Sequence, residues 1–153
     1  MAITSFLRNN YSYVDTSDDS NIGFGKSYFV GDDGENCIKL DIFYSTENFI
    51  DPVVIIDGIR MASVEDIIAM KIDVVSRGGR KKDFWDIHEL MNDYSIIHML
   101  ALHEQRHPYI HDKGLIKANF TKFENADLDF DPVCLKGKAW EVIKLDMLDF
   151  VKA

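Results

Sequence analysis

Lys71 and Asp83 are charged residues standing where a helical period expects apolar ones. In VEDIIAMKIDVV that period gathers Val64, Ile67, Ile68 and Val75 into one stripe, sets Glu65, Asp66 and Asp73 opposite, and drops Lys71 inside the stripe. In the next periodic run Phe84, Ile87, Leu90, Met91 and Tyr94 form the apolar face, and Asp83 points into it from the first turn. A charge buried alone is strongly unfavourable. Either the two faces meet and Lys71 finds Asp83, Asp86 or Asp41, or Lys71 snorkels to water while Asp83 complements the positive end of its helix.

Between these runs lies RGGRKKDFWD, residues 77–86, where Arg77, Arg80, Lys81 and Lys82 crowd together in an otherwise acidic chain. Gly78 and Gly79 let the backbone come close to an anion, and the cations stand beside a helix N-terminus that already favours negative charge. Phosphate binding is the chemistry such a corner supports; a solvated interhelix loop is the alternative. Asp41 interrupts the β-rich run IKLDIFY, on the face shared by Cys37, Lys39 and Phe43. A carboxylate fixed on a strand can serve as a metal ligand or general base, or can simply sit on a partly solvated sheet face.

Two further patterns are weaker. HEQRH, residues 103–107, matches the helical zinc-protease spacing, but Pro108 ends the helix, Arg106 adds a cation and no clear third ligand follows. We expect exposed helix-end histidines and no zinc. DLDFD, residues 127–131, begins like a calcium loop, yet the sixth position is Pro132 and the twelfth is Lys138, so an acidic surface linker is expected. Cys37 and Cys134 show no metal-site spacing and read as buried thiols of a reducing compartment.

The elements that must position these residues change character along the chain. A short helix near 4–10 precedes an alternating run that includes Ile22, Phe24, Tyr28 and Val30; a GDDG turn then leads to a second β-rich run at 37–44. Val53 to Ile56 and Ile59 to Met61 flank Asp57-Gly58, a strong hairpin signal. At Ser63 and Asp66 a capping-box pattern opens a helix running to about Ser76, and further helices fit 83–94, 95–107, 113–123 and 138–151. The class is α+β: β-hairpins followed by a C-terminal helical bundle, in one domain over 1–153 with a β-rich part (1–61) and a helical part (62–153).

Composition bounds the function. With 17 Lys+Arg against 26 Asp+Glu the formal charge is −9, which argues against broad adhesion to nucleic acid or anionic lipid. No apolar run approaches the roughly 20 residues that cross a bilayer, and no leader is visible, so a soluble cytoplasmic protein without a membrane partner is expected.

The stretch ASVEDIIAMKIDVVSRGGRKKDFWDIHELM, residues 62–91, resembles the nucleotidyltransferase family of abortive-infection toxins, the AbiEii/AbiGii toxin-like proteins. The resemblance rests on Glu65, Asp66 and Lys71 of the first helix and on the basic loop entering Lys82, Asp83 and Asp86. IKLDIFYSTENF is similar to the family's strand bearing the third carboxylate, which implies that Asp41 is its counterpart. A polymerase-β-like palm is thereby implied, with a partial nucleotidyltransferase-like sheet, in which carboxylates hold Mg²⁺ while a nucleoside triphosphate gives its nucleotide to an acceptor. On that resemblance Asp41, Lys71 and Asp83 are catalytic, Asp41 is the metal ligand, and Lys71, Arg77, Arg80, Lys82 and Asp86 bind nucleotide or phosphate. The implied partners are a nucleoside triphosphate and an RNA acceptor or cognate antitoxin.

One part of the family pattern is missing. A Gly-Ser turn and an Asp-x-Asp pair should precede the third carboxylate; Met1 to Lys39 contains neither, and Asp18-Asp19 and Asp32-Asp33 have the wrong spacing. The expectation is a truncated or degenerate member, inactive as it stands, or else a non-catalytic binding or toxin–antitoxin partner module.

Overall fold

A computed structural model describes residues 2–16 and 25–153. Ile22, Phe24 and the Asp18-Asp19 pair lie outside the described residues. The chain divides into two compact units, Met1–Glu47 and Asn48–Ala153.

In the first unit α1 (Ala2–Asn10) is followed by β1 (Tyr13–Asp15), β2 (Gly25–Gly31) and β3 (Cys37–Phe43), which form an antiparallel sheet in that order. The β2–β3 hairpin is the expected one, with Ser27 opposite Asp41 and Gly31 opposite Cys37. A side chain at Gly31 would meet the Asn36 carbonyl at 2.0 Å, so the close of the hairpin requires glycine. β1 was not expected, because three residues are too short to show a period of two. Leu7, Tyr28 and Val30 make a small core, with Val14, Leu40 and Ile42 against it. That packing sends Leu40 and Ile42 inward and turns Asp41, between them, outward.

The second unit begins with β4 (Val54–Ile56) and β5 (Ile59–Met61), paired through a turn in which Asp57 and Gly58 have φ of 51° and 79°. Both positive angles are what a two-residue type I′ turn demands. Then come α2 (Val64–Ser76), α3 (Lys81–Leu90), α4 (Ile96–Arg106), α5 (Lys113–Asn119), α6 (Glu124–Asp127) and α7 (Trp140–Phe150). The α+β class therefore holds. The helix expected over 113–123 stops at Asn119, whose side-chain amide donates to the Ser76 carbonyl, and the chain turns through the wholly buried Phe120 into α6.

This unit's core is continuous: Ile68, Ile72 and Val75 of α2, Phe84 and Ile87 of α3, Met99 of α4, and Ile143 and Met147 of α7 are all fully buried. Phe84 meets Phe123 and Trp140 edge-on at 5.3 and 5.8 Å, and Trp85 stacks on Trp140 at 5.5 Å. Each of these aromatics carries a large apolar surface into the core, so truncating Phe84 to Ala costs about 3–5 kcal/mol. The stripe expected on α2 is rotated. Val64 and Ile67 are exposed, whereas Asp66 is fully buried beside Ile68, Ala69 and Ile72.

Candidate functional site

α2 ends and α3 begins within five residues, and that tight join positions the site. The Gly78 N–H donates to the Val75 carbonyl with φ at 91°, a left-handed helix stop. A side chain on Gly79 would stand 3.0 Å from the Val75 Cα and 3.4 Å from the Asp83 Cβ. The two glycines thus let the start of α3 pass hard against the last turn of α2, which brings Asp83 to Lys71.

Lys71 Nζ donates to Asp83 Oδ1 at 2.9 Å and lies 2.6 Å from Asp86 Oδ2. Of the three partners open to Lys71 it thus takes two, one turn apart on α3. The Asp83 side chain is 6% exposed, Lys71 26% and Asp86 50%, so the lysine bridges from the core to solvent. Burial works against its ammonium, but the bonds to Asp86 and Asp83 outweigh that and hold it above its ordinary range. The second oxygen of Asp83 accepts the Arg80 N–H at 3.0 Å.

The N-terminus of α3 is already supplied with anions from the chain itself. Beside the Asp83 cap, the Lys81 N–H donates to Asp129 Oδ2 at 3.0 Å. Lys81 Nζ donates to the Asp129 carbonyl at 2.7 Å and to Asp131 at 2.9 Å, over the ring of Trp140. DLDFD lies at the surface, as expected of an acidic linker, but it is tied down: Asp129 and Asp131 grip α3, Asp127 accepts from Trp140 and Lys144 of α7, and Leu128 and Phe130 are exposed. Of the other cations in the basic loop, Arg77 pairs with Asp73, and Arg80 and Lys82 are exposed.

Asp41 belongs to the first unit, where Ser27 Oγ donates to it at 2.5 Å from across the hairpin and Lys39 Nζ lies at 3.0 Å. Lys71, Asp83 and Asp86 belong to the second.

The remaining acids of α2 have structural partners that no sequence period could show. The Tyr94 hydroxyl donates to Glu65 at 2.8 Å. Asp66 accepts the amides of Ile50 and Asp51, the Ser63 hydroxyl at 2.9 Å and Arg106 Nη1 at 2.6 Å. Four donors explain why a carboxylate occupies the buried side of α2. Burial opposes the ionised form, but these donors outweigh it and keep Asp66 below the usual carboxylate range.

HEQRH behaves differently from its expectation too. His103 is 1% and His107 6% exposed, because the end of α4 packs on α2 and on the loop carrying His111. His103 Nδ1 lies 2.9 Å from His111 Nδ1. Burial first, then the neighbouring His107 and His111, pushes His103 down to about 4. Among the described residues no three metal-ligating side chains converge. The two thiols are half-buried, not buried, because each lies at a strand or loop margin of its core. No helix among the described residues is long and apolar enough to cross a membrane.

Solved structures share this fold. A candidate nucleotidyltransferase from H. pylori superposes with a TM-score of 0.61 at 19% identity, covering 99% of this chain and 72% of that one. The Helicobacter pylori protein JHP933 gives 0.56 at 19% identity over 93% of this chain, and this chain spans 62% of its length. No curated protein matches the sequence. Residues 7–153 match the family described as nucleotidyl transferase AbiEii toxin of type IV toxin–antitoxin systems, a span taking in the whole α2–α3 join, β3 and every element between and beyond them. The chain belongs to the AbiEii nucleotidyl transferase toxin family.

Proposed function

We propose that these residues form the nucleotide-positioning half of a nucleotidyltransferase site. The observation that carries this reading is Lys71, held between Asp83 and Asp86 with its ammonium fixed, charged and only partly desolvated. A rigid, partly exposed cation binds the polyphosphate of a nucleoside triphosphate and neutralises charge that develops on phosphoryl transfer. Asp83, capped onto the Arg80 amide, fixes the lysine's direction; Asp86 is the exposed partner that a phosphate oxygen would replace. Arg77, Arg80 and Lys82 extend positive charge from the same join, and Asp41 is the third carboxylate of the family's metal set.

Mg²⁺ would orient the α-phosphate and activate the attacking hydroxyl when bound. The described residues do not build a site for it, since no three ligating side chains converge and the immediate neighbours of Asp41 include an ammonium. The 153 residues contain no Asp-x-Asp ahead of Asp41, and one carboxylate alone does not supply the protein ligands that hold two Mg²⁺ ions in place. On this reading the chain as given binds a nucleoside triphosphate weakly and does not transfer it at a useful rate, which also favours a role as a binding module toward an RNA or a cognate antitoxin.

Incubation with each labelled nucleoside triphosphate, Mg²⁺ and total RNA tests the proposal. The expected result is no labelling, with weak triphosphate binding by calorimetry that Lys71→Met abolishes. Labelling that depends on Asp41 would overturn the inactivity, and binding unchanged by Lys71→Met would overturn the lysine's role.

A further inference from the structure

The segment between α6 and α7 turns four large apolar side chains to water. Leu128, Phe130, Val133 and Leu135 are 87%, 99%, 95% and 97% exposed, while Asp129, Pro132 and Cys134 between them are half-buried. A free linker would fold such side chains back on itself, but this one is held from behind. The Trp140 indole and Lys144 donate to Asp127, Lys81 donates to the Asp129 carbonyl and to Asp131, and the Lys138 N–H lies 3.3 Å from the Cys134 sulfur, which packs on the helical core. With the inward residues pinned, the outward row cannot turn in without breaking these ties.

Apolar side chains scattered singly over a surface are ordinary, but four within residues 128–135 are not. Together they present on the order of 500 Å² of apolar surface, at the upper end of what a monomer leaves open in one patch. With their flanking groups they approach the roughly 800 Å² that each partner buries in a stable interface. Because the segment is already fixed, association does not have to order it first. Charge then decides which partner fits. Asp127 is engaged by Lys144, Asp129 and Asp131 by Lys81, and Lys136 and Lys138 by Glu89, so an acidic or basic partner finds no spare counter-charge along the row. What is left to recognise is an uncharged apolar row, and an identical row complements it across a twofold axis, in the apolar manner of contacts between copies.

We propose that this row is a contact between two copies of the chain, with Phe130 and Val133 of one copy packed against the same row of the other. The contact is made by the segment that tethers Lys81 at the head of α3, and it shields the largely exposed Asp131 end of that tether. Two chains of formal charge −9 repel each other, so the dimer tightens as salt screens that repulsion.

Sedimentation equilibrium of the full chain over a concentration series, at low and at high salt, reads the mass directly. The expected result is a monomer–dimer equilibrium in the micromolar range that moves toward dimer with salt. A monomer throughout, or a dimer that salt dissociates, overturns the proposal. Phe130→Asp and Val133→Asp should each weaken the dimer about thirtyfold or more. Tyr109→Asp, at an equally exposed aromatic outside the segment, should leave it unchanged. A dimer that survives both changes in the row places the contact elsewhere and refutes the assignment. Both replaced side chains are almost wholly exposed, so circular dichroism and thermal unfolding of the variants should match the parent; a loss of folded signal would show that the row packs within the monomer, and would also refute it. So would a chain that stays monomeric and binds phosphatidylcholine vesicles through the same residues.

Discussion

Helix α2 is joined to α4 and to α3 by ion pairs of opposite kinds. Toward α4, Asp66 and Arg106 have side chains 0% and 4% exposed, and the carboxylate is saturated by two backbone amides and a hydroxyl as well. Toward α3, Lys71 spans a buried Asp83 and a half-exposed Asp86. The Asp66 carboxylate, with four donors, has no coordination left for a ligand, and the buried pair acts as a pin. The open one keeps a face in water, where a partner can be exchanged at small cost. Burial and spare hydrogen-bonding capacity, more than charge, separate structure from site here.

The comparison breaks most visibly at Arg106. Arg106→Met leaves Asp66 buried beside a missing cation and should cost about 3–5 kcal/mol in urea unfolding. A cost below about 1 kcal/mol would mean the pair is not closed. Because the folded Asp66 lies below its ordinary range, its stabilisation is present above the unfolded carboxylate's pKa and is lost as pH falls through the folded value.

His103 sharpens the picture of the same α2–α4 seam. Its folded value of about 4 lies below the unfolded 6.5, so the unfolded chain binds the proton first. Stability should be complete above pH 6.5 and fall between 6.5 and about 4, by on the order of 3 kcal/mol. His103→Phe should flatten unfolding free energy across that window; an unaltered slope would assign the titration elsewhere.

At the open seam the effects are smaller. Lys71→Met and Asp83→Leu should each cost about 2 kcal/mol, and the double variant clearly less than the sum, in a denaturant double-mutant cycle. Strict additivity would dissolve the pair. Asp86→Asn, at the exposed end, should change stability by only about 0.5 kcal/mol. A cost as large as that of Arg106→Met would show that the two seams are alike and remove the basis for reading one as a site.

Much of this was legible from charge and period. Lys71 and Asp83 stood out because each broke an apolar stripe, and burial forces such residues to find each other. Asp57-Gly58 declared its hairpin because few residues tolerate two positive φ angles in succession. The orientation of α2 was not legible. Asp66 reads as solvent-facing until the amides of Ile50 and Asp51 and the guanidinium of Arg106 are brought to it from elsewhere. The histidines at the end of α4 likewise look exposed until α2 and the His111 loop close over them.

By itself the sequence determined local matters: where helices start, which turns need glycine, and that one lysine and one aspartate had to be reconciled with a core. It also carried enough of the Lys71 to Asp86 pattern to reveal the family. The tertiary structure decided what each charge is for. Asp129 and Asp131 became the anions at the head of α3, and Asp66 a pin. The physical reason is that a charge's role depends on the donors and the water around it, and these come from residues as much as 40 to 50 positions away in the chain.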